Sequence, residues 1–297
     1  MDEPVITTRD IAKCYGRVTA VSGVTLEVPG GVVFGLMGRN GAGKTSLIKM
    51  LLGLETITAG SATVLGLDSE RQSVRLRGLV GYVPEAHTMY RWMTVAEIAR
   101  FVSAFYPTWD DALCAKLLDK YGLDPARRIK ELSRGGIAKV ALTLALAHRP
   151  KLLILDEPTD GLDAVVRKEF LESVVEVAAE EGRTVFISSH LLADMERVAD
   201  RLALMDRSRV RFIEDTETLK ARVREIKITF ADGQPAGFEW PGAVSLRKER
   251  REWLMVVDNF TPDTPARLKA QLPGADVEAR TMTLEEIFIA MTGEDEE

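Results

Sequence analysis

The sequence predicts an α/β domain built around a phosphate-binding loop, with a small α+β unit after it. Three stretches carry that expectation. The apolar run Val32 to Met37 leads into Gly38-Arg39-Asn40-Gly41-Ala42-Gly43-Lys44-Thr45 and then into the apolar-periodic stretch Ser46 to Leu52. A second apolar run, Leu152 to Leu155, ends in two adjacent carboxylates, Asp156 and Glu157. A third, Thr184 to Ser189, is followed at once by His190. Continuous apolar runs of this length read as strands of a parallel sheet buried on both faces. Ligand groups in such sheets gather at the carboxyl ends of the strands, where all three motifs fall.

The glycine-rich stretch has P-loop spacing, Gly, four residues, then Gly-Lys-Thr, in the strand-then-helix context the motif requires. Glycines let backbone N–H groups turn inward and approach phosphate oxygens. The helix that starts near Lys44 aims its unpaired N–H groups at the same anion. Lys44 adds a point charge for the β- and γ-phosphates, and the Thr45 hydroxyl is placed to ligate Mg²⁺. The competing reading, a plain glycine turn with a solvated lysine, explains fewer of these positions.

Composition bounds the rest. The chain has 297 residues, 46% of them apolar and 28% charged, an ordinary soluble balance. No apolar run reaches the ~18 residues of a spanning helix, and the start Met1-Asp2-Glu3-Pro4 is acidic rather than signal-like. A net charge of −6, with the tail Glu294 to Glu297, offers no basic footprint, so nucleic acid is not an expected partner. Cys14 and Cys114 have no metal-ligand spacing and read as buried structural thiols in a reducing cytoplasm.

Taken in order, Val5 to Thr8 and Val24 to Val28 read as short antiparallel strands separated by Gly16 and Gly23. Tyr15, between them, could stack on a nucleobase or could be a half-buried structural tyrosine; position alone leaves both open. Leu79 to Val83 is a strand halted by Pro84, which leaves Glu85 at its end, able to meet a metal ion or a water, or simply solvated. Residues 86–150 turn helical. Thr94 caps one helix with Glu97 as capping-box partner, Thr108 caps a second after Pro107, and Pro125 opens a short third. Ser133 is an N-cap, and with Gly135 and Gly136 it makes a second anion-ready helix start. Glycines there cost helix stability, ~1 kcal/mol each, unless the backbone must approach something closely. Asp156 would meet Mg²⁺, Glu157 would orient or deprotonate a water, and His190 at its strand end would touch the γ-phosphate. His87 and His148 receive no role. Leu202 to Met205 and Val210 to Ile213 form a hairpin that closes a first domain, residues 1–215. Residues 216–297 form the α+β unit, with strands around Ile226 to Phe230 and Trp253 to Val257 and helices at Thr264 to Leu272 and Thr283 to Met291.

The order of P-loop, Tyr82-to-Glu85 turn, Leu132-Ser133-Arg134-Gly135-Gly136, Leu152-to-Glu157, Gly161-Leu162-Asp163 and Ser188-Ser189-His190 resembles the nucleotide-binding subunits of ABC transporters over the first two thirds of the chain. The end Thr283 to Phe288 resembles the C-terminal extensions of ABC-2-type exporter ATPases. The resemblance implies a P-loop NTPase of ABC type, with a mixed sheet core, an antiparallel β subdomain and a helical subdomain inserted at about 86–150. It implies a cytoplasmic ATPase, peripheral on the inner face of the membrane, that forms a homodimer or a heterodimer with a paralogue and drives a separate integral-membrane permease. Each ATP, with Mg²⁺, would lie between one P-loop, including Ser46, and the other subunit's Ser133-to-Gly136 segment. Tyr15 would stack on adenine, Glu157, His190 and Lys44 would act in hydrolysis, Thr45, Glu85 and Asp156 would meet the metal, and Asp163 would communicate across the dimer. Glu85 stands where the family usually has glutamine, Arg134 where the signature has its first glycine, Ala138-Lys139 where Gln-Arg or Gln-Lys is common, and Asp160 where a small polar residue is usual. The alternatives are a soluble ABC-type ATPase of translation or DNA repair, and a regulatory ATP sensor not coupled to transport.

Overall fold

The computed structural model describes residues 3–179, 182–231, 235 and 238–292; the acidic tail Glu294 to Glu297 lies outside them. The chain divides into two compact units, Met1–Ile213 and Glu214–Glu297.

The first unit holds two sheets. In the antiparallel one, β1 (Ile6–Tyr15) lies between β2 (Val18–Val28) and β4 (Ala59–Val64), with the short β5 (Leu67–Asp68) beyond β4. The sequence suggested two short strands here. They are longer because β1 absorbs irregularities in its register with β2 between Thr8 and Cys14, around Asp10 at φ +46°, and continues to a tight turn at Gly16. Cys14 is exposed on this strand, contrary to the expectation of a buried thiol, because neighbouring residues of a strand face opposite sides and its neighbour Lys13 takes the covered one. Cys114 is buried.

The second sheet has the order β10 (Arg209–Asp215), β9 (Arg201–Asp206), β3 (Val33–Met37), β8 (Thr184–Ser189), β7 (Leu152–Leu155), β6 (Val80–Val83). From β9 to β6 all neighbours are parallel. Every residue of β3, β7 and β8 is buried, which is why β3 and β7 read as unbroken apolar runs and β8 as Val185 to Ile187 flanked by buried hydroxyl residues. The Phe34 and Phe186 rings stack across β3 and β8 at 5.6 Å. Around this sheet lie α1 (Lys44–Leu51), α2 (Ser73–Arg77), α6 (Ala164–Ala179) and α7 (Leu192–Val198).

Between β6 and β7 come α3 (Val95–Ser103), α4 (Asp111–Lys120) and α5 (Arg134–Leu146), which share a core of Val95, Ile98, Leu118, Ile129 and Val140. Thr94 and Glu97 form the expected capping box of α3. Thr108 does not cap α4: its hydroxyl donates to the His148 carbonyl at 2.9 Å, and Asp110 takes the cap, accepting from Leu113 N–H at 2.8 Å. Pro125 opens a turn rather than a helix, because the Asp124 carboxylate accepts from Ala126 N–H; the helical turn comes later, as a 3-10 helix at Ile129–Glu131.

The second unit is a four-stranded antiparallel sheet in the order β12 (Ala243–Lys248), β13 (Glu252–Val257), β11 (Arg224–Phe230), β14 (Ala275–Thr281), with α8 (Thr216–Arg222), α9 (Thr264–Gln271) and α10 (Leu284–Thr292). Its core packs Ile226, Ile228, Trp253, Met255 and Leu268. No helix among the described residues is long and apolar enough to cross a membrane.

Candidate active site

The carboxyl ends of β3, β8, β7 and β6 lie along one edge of the parallel sheet, and each delivers one part of the site. From β3 comes the loop Gly38 to Gly43. Gly43 has φ +106°, and a Cβ there would sit 2.1 Å from the Ala20 carbonyl oxygen, so both conformation and space demand glycine. Arg39, Asn40 and Gly41 are exposed at the crest of the loop, Ala42 is buried, and Ser46 is half-buried in the first turn of α1. No side chain caps α1, and no acid lies in its first turn. The opening N–H groups and the positive end of the dipole are therefore left to an anion.

Lys44 is 5% exposed and folds back across the loop, donating to the carbonyls of Gly38 at 2.5 Å and Arg39 at 3.2 Å. Its Nζ also lies 3.0 Å from Glu157 Oε1. Glu157 Oε2 accepts from His190 N–H at 3.2 Å and lies 2.8 Å from His190 Nδ1. The predicted lysine, acid and histidine thus form one connected set. Glu157 adopts φ +45°, a left-handed conformation that costs a non-glycine residue ~1–3 kcal/mol and recurs where function fixes the backbone.

Asp156 is 1% exposed. Its Oδ1 accepts from Ser188 Oγ at 2.8 Å and from Thr45 Oγ1 at 3.2 Å, while its buried Oδ2 has no partner among the described residues. Burial pushes the Asp156 carboxyl above its usual range; hydrogen bonds from Ser188 and Thr45 oppose the rise and the Glu157 charge adds to it. A carboxylate oxygen without a partner beside a threonine hydroxyl is a hard-oxygen donor pair that suits Mg²⁺, an ion that takes one or two protein oxygens and completes its shell with phosphate and water. Among the described residues no cluster of three or more His, Cys, Asp or Glu could hold a metal by itself.

Ser188 was not singled out by spacing, although a hydroxyl directly after the apolar run Val185-Phe186-Ile187 was the available signal. It donates to Asp156 Oδ1 and accepts from Glu157 N–H at 2.9 Å.

Other predicted positions stay outside this set. Glu85 is exposed, two residues beyond the end of β6; the Tyr82 hydroxyl near it is pushed up by burial and then by the charges of Asp156 and Glu85. Tyr15 ends β1, is 45% exposed, and has the Lys13 ammonium 4.9 Å from its ring centroid. Asp163 starts α6, accepting from Val165 and Val166 N–H at 3.0 Å each. Ser133 caps α5 through Gly136 N–H at 3.1 Å. Gly135 is buried, and a Cβ there would come within 2.4 Å of Val166 Cγ1. What its backbone approaches within this chain is α6.

A protein-family model described as "ABC transporter" matches residues 21–160. The bacitracin transport ATP-binding protein BcrA of Enterococcus faecalis is 33% identical over 232 residues, covering 77% of this chain and 75% of that one. The chain belongs to the ABC transporter ATP-binding proteins. The ABC transporter ATP-binding protein YtrB of Bacillus subtilis (strain 168) is 28% identical over 291 residues, 97% of this chain and 98% of that one, so the likeness to this ABC protein runs through the C-terminal unit. Among solved structures, the dimeric post-hydrolysis form of the ATP-binding cassette MJ0796 bound to ADP and Pi superposes with a TM-score of 0.64 at 20% identity, over 71% of this chain and 98% of that one. This ABC ATPase shares the cassette fold, and its reaction is ATP hydrolysis.

Proposed function

We propose that two cassettes of this kind close head to tail around two Mg-ATP, and that this closure drives a separate membrane permease, as part of an exporter. The observation that carries the reading is the division of the site. Lys44, Thr45, Asp156, Glu157 and His190 converge within one chain, while Ser133 is spent on capping α5, accepting from Gly136 N–H at 3.1 Å. Ser133 is exposed at the start of a 13-residue helix, where a second chain's phosphates could reach it. BcrA, 33% identical, is a bacitracin transport ATP-binding protein, which favours coupling to transport.

In this reading the N–H groups of the loop and of α1 bind the phosphates, and Lys44 exchanges its Glu157 partner for phosphate oxygens. Glu157 then turns to the attacking water as base or orienter, and His190 contacts the γ-phosphate. Thr45 and Asp156 would hold magnesium, which neutralises phosphate charge when bound. Tyr15 stacks on the base and Asp163 faces the opposing subunit. Hydrolysis weakens the bridge between subunits, and the opening is what the permease feels.

In this reading the permease sits beside the end of β6. A cavity of about 460 Å³ between the end of β6 and α3 is lined by Tyr82, Pro84, Tyr90, Phe101 and Leu144. Beside it Tyr90, Trp92, Phe101 and Phe105 are all exposed, with Phe101 edge-on to both Tyr90 and Phe105. An exposed aromatic patch of this kind suits an apolar helical segment of a partner, and the Tyr82-to-Glu85 strand end ties it to Asp156. Docking there would place the chain on the inner face of the membrane.

The test is Glu157→Gln, sized by light scattering with and without Mg-ATP. A dimer that forms only with nucleotide and turns over slowly is expected, and adding Ser133→Glu should abolish it by setting a like charge against the phosphates. A Glu157→Gln protein that stays monomeric at saturating ATP would refute the closure.

A further inference from the structure

Ser188 joins the two acids of the site and has no part in the mechanism so far. It is the fifth residue of β8 and fully buried. One hydroxyl offers one donor and two acceptor sites, and Ser188 uses both functions: it donates to Asp156 Oδ1 at 2.8 Å and accepts from Glu157 N–H at 2.9 Å. Ser189, next to it, makes only a local turn contact, accepting from Leu191 N–H at 2.9 Å. The two serines before His190 therefore do different work.

Two consequences follow. Ser188 and Thr45 both engage Oδ1 of Asp156, which fixes the rotation of that carboxylate and leaves Oδ2 as the buried oxygen without a partner. Among the described residues, Ser188 Oγ is also the acceptor of Glu157 N–H, at the residue held at φ +45°. Glu157 lies two residues past Leu155, the last residue of β7, and its buried N–H is received by the Ser188 hydroxyl. Take the hydroxyl away and a buried N–H loses its partner while the Asp156 carboxylate loses the bond that orients it.

We propose that Ser188 is a positioning residue for ATP hydrolysis: its hydroxyl sets the relative placement of the carboxylate that meets the metal and the carboxylate that meets the water. The inference rests on the roles given above to Asp156 and Glu157. It is distinct from them in requiring a third group, on a neighbouring strand, whose removal disturbs both at once.

The experiment compares wild type with Ser188→Ala, Ser188→Thr, Glu157→Gln and the Glu157→Gln/Ser188→Ala double variant in the full chain. Ser188→Ala should keep its melting midpoint within a few degrees and its ATP-dependent dimer. Its kcat should fall about 10- to 100-fold with KM within about threefold, the split expected when an interaction made in the transition state is lost. Binding of Mn²⁺ to the ATP complex, titrated by EPR, should weaken severalfold. Threonine, which retains the hydroxyl, should restore most of both. In the Glu157→Gln background, Ser188→Ala should cost less than about threefold, because groups that act as a unit are not additive. If alanine lowers the midpoint sharply, Ser188→Cys, nearly isosteric and a weak donor, carries the same comparison. Wild-type kcat and Mn²⁺ affinity in Ser188→Ala beside a slow Glu157→Gln would overturn the proposal alone. Wild-type turnover by Glu157→Gln would instead overturn the role of Glu157, and the proposal with it.

Discussion

Gly135→Ala separates two accounts of why glycine stands at the start of α5. The methyl group added there would lie 2.4 Å from Val166 Cγ1 and 3.4 Å from its Cβ. Val166 is β-branched and half-buried on α6, so it cannot swing clear as a long side chain would. Overpacking a filled contact costs about 1–3 kcal/mol, and the helix preference of alanine over glycine returns at most ~1. An overlap at 2.4 Å belongs in the upper half of that range, about 2–3 kcal/mol, so with the full ~1 returned the net expectation is a loss of about 1–2 kcal/mol. For a unit of some two hundred residues that lowers the melting midpoint by ~2–8 °C, measurable by scanning fluorimetry or circular dichroism. Adding Val166→Ala removes the obstructing methyl groups, so the double variant should melt within ~2 °C of Val166→Ala alone and recover its ATPase rate. A Gly135→Ala protein as stable as wild type would refute the packing account. A double variant that regains stability while its ATPase stays lost would show that the glycine answers to nucleotide across the dimer.

Two further outcomes are expected. Tyr15→Ala should raise the Kd for ATP by about 5- to 150-fold, the loss of one base–aromatic stack worth ~1–3 kcal/mol, while Tyr15→Phe stays near wild type by calorimetric titration. At Asp110, the hydrogen bond from Leu113 N–H and then the one from Arg149 hold the carboxyl below its usual range. Its folded pKa is depressed, so its contribution is present above the unfolded pKa near ~4 and is lost as pH falls through the folded value. Asp110→Asn keeps an N-cap but not the charge, so its melting midpoint should lie below wild type at pH 6, and the gap should narrow as pH falls below the unfolded pKa near ~4.

The part of this protein that writes itself into the sequence is the part buried on both faces of the parallel sheet. β3, β7 and β8 contain no exposed residue, so β3 and β7 appear as apolar runs and β8 as Val185 to Ile187 followed by two buried serines, and the groups proposed for the site follow where these strands stop. That is why the loop, Asp156, Glu157 and His190 could be placed from spacing. The edge strands β12 and β14 lacked such a signal: β12 has no buried residue and β14 buries Val277 alone, so neither shows the alternation that marks a half-buried strand. Thr108 and Asp110 are both competent caps two residues apart, and the choice was made by His148 and Arg149, nearly forty residues on, which local pattern cannot see.

Gly135 and Ser188 show the same limit inside the site. A helix-start glycine announces that something comes close but does not name it; within this chain it is Val166, thirty-one residues later. A serine in a buried strand reads as a tolerated small residue until Asp156 and Glu157, on the adjacent strand's end, are seen to share its hydroxyl. In both cases the residue type follows from a contact between elements. A sequence therefore names the groups proposed to meet nucleotide more readily than the groups proposed to position them, because the former sit where strands stop and the latter inside the strands and helices themselves. Variation among cassettes in rate, at fixed Lys44, Asp156, Glu157 and His190, is then expected to reside in positions such as 135, 166 and 188, whose effect passes through geometry and leaves the reacting groups unchanged.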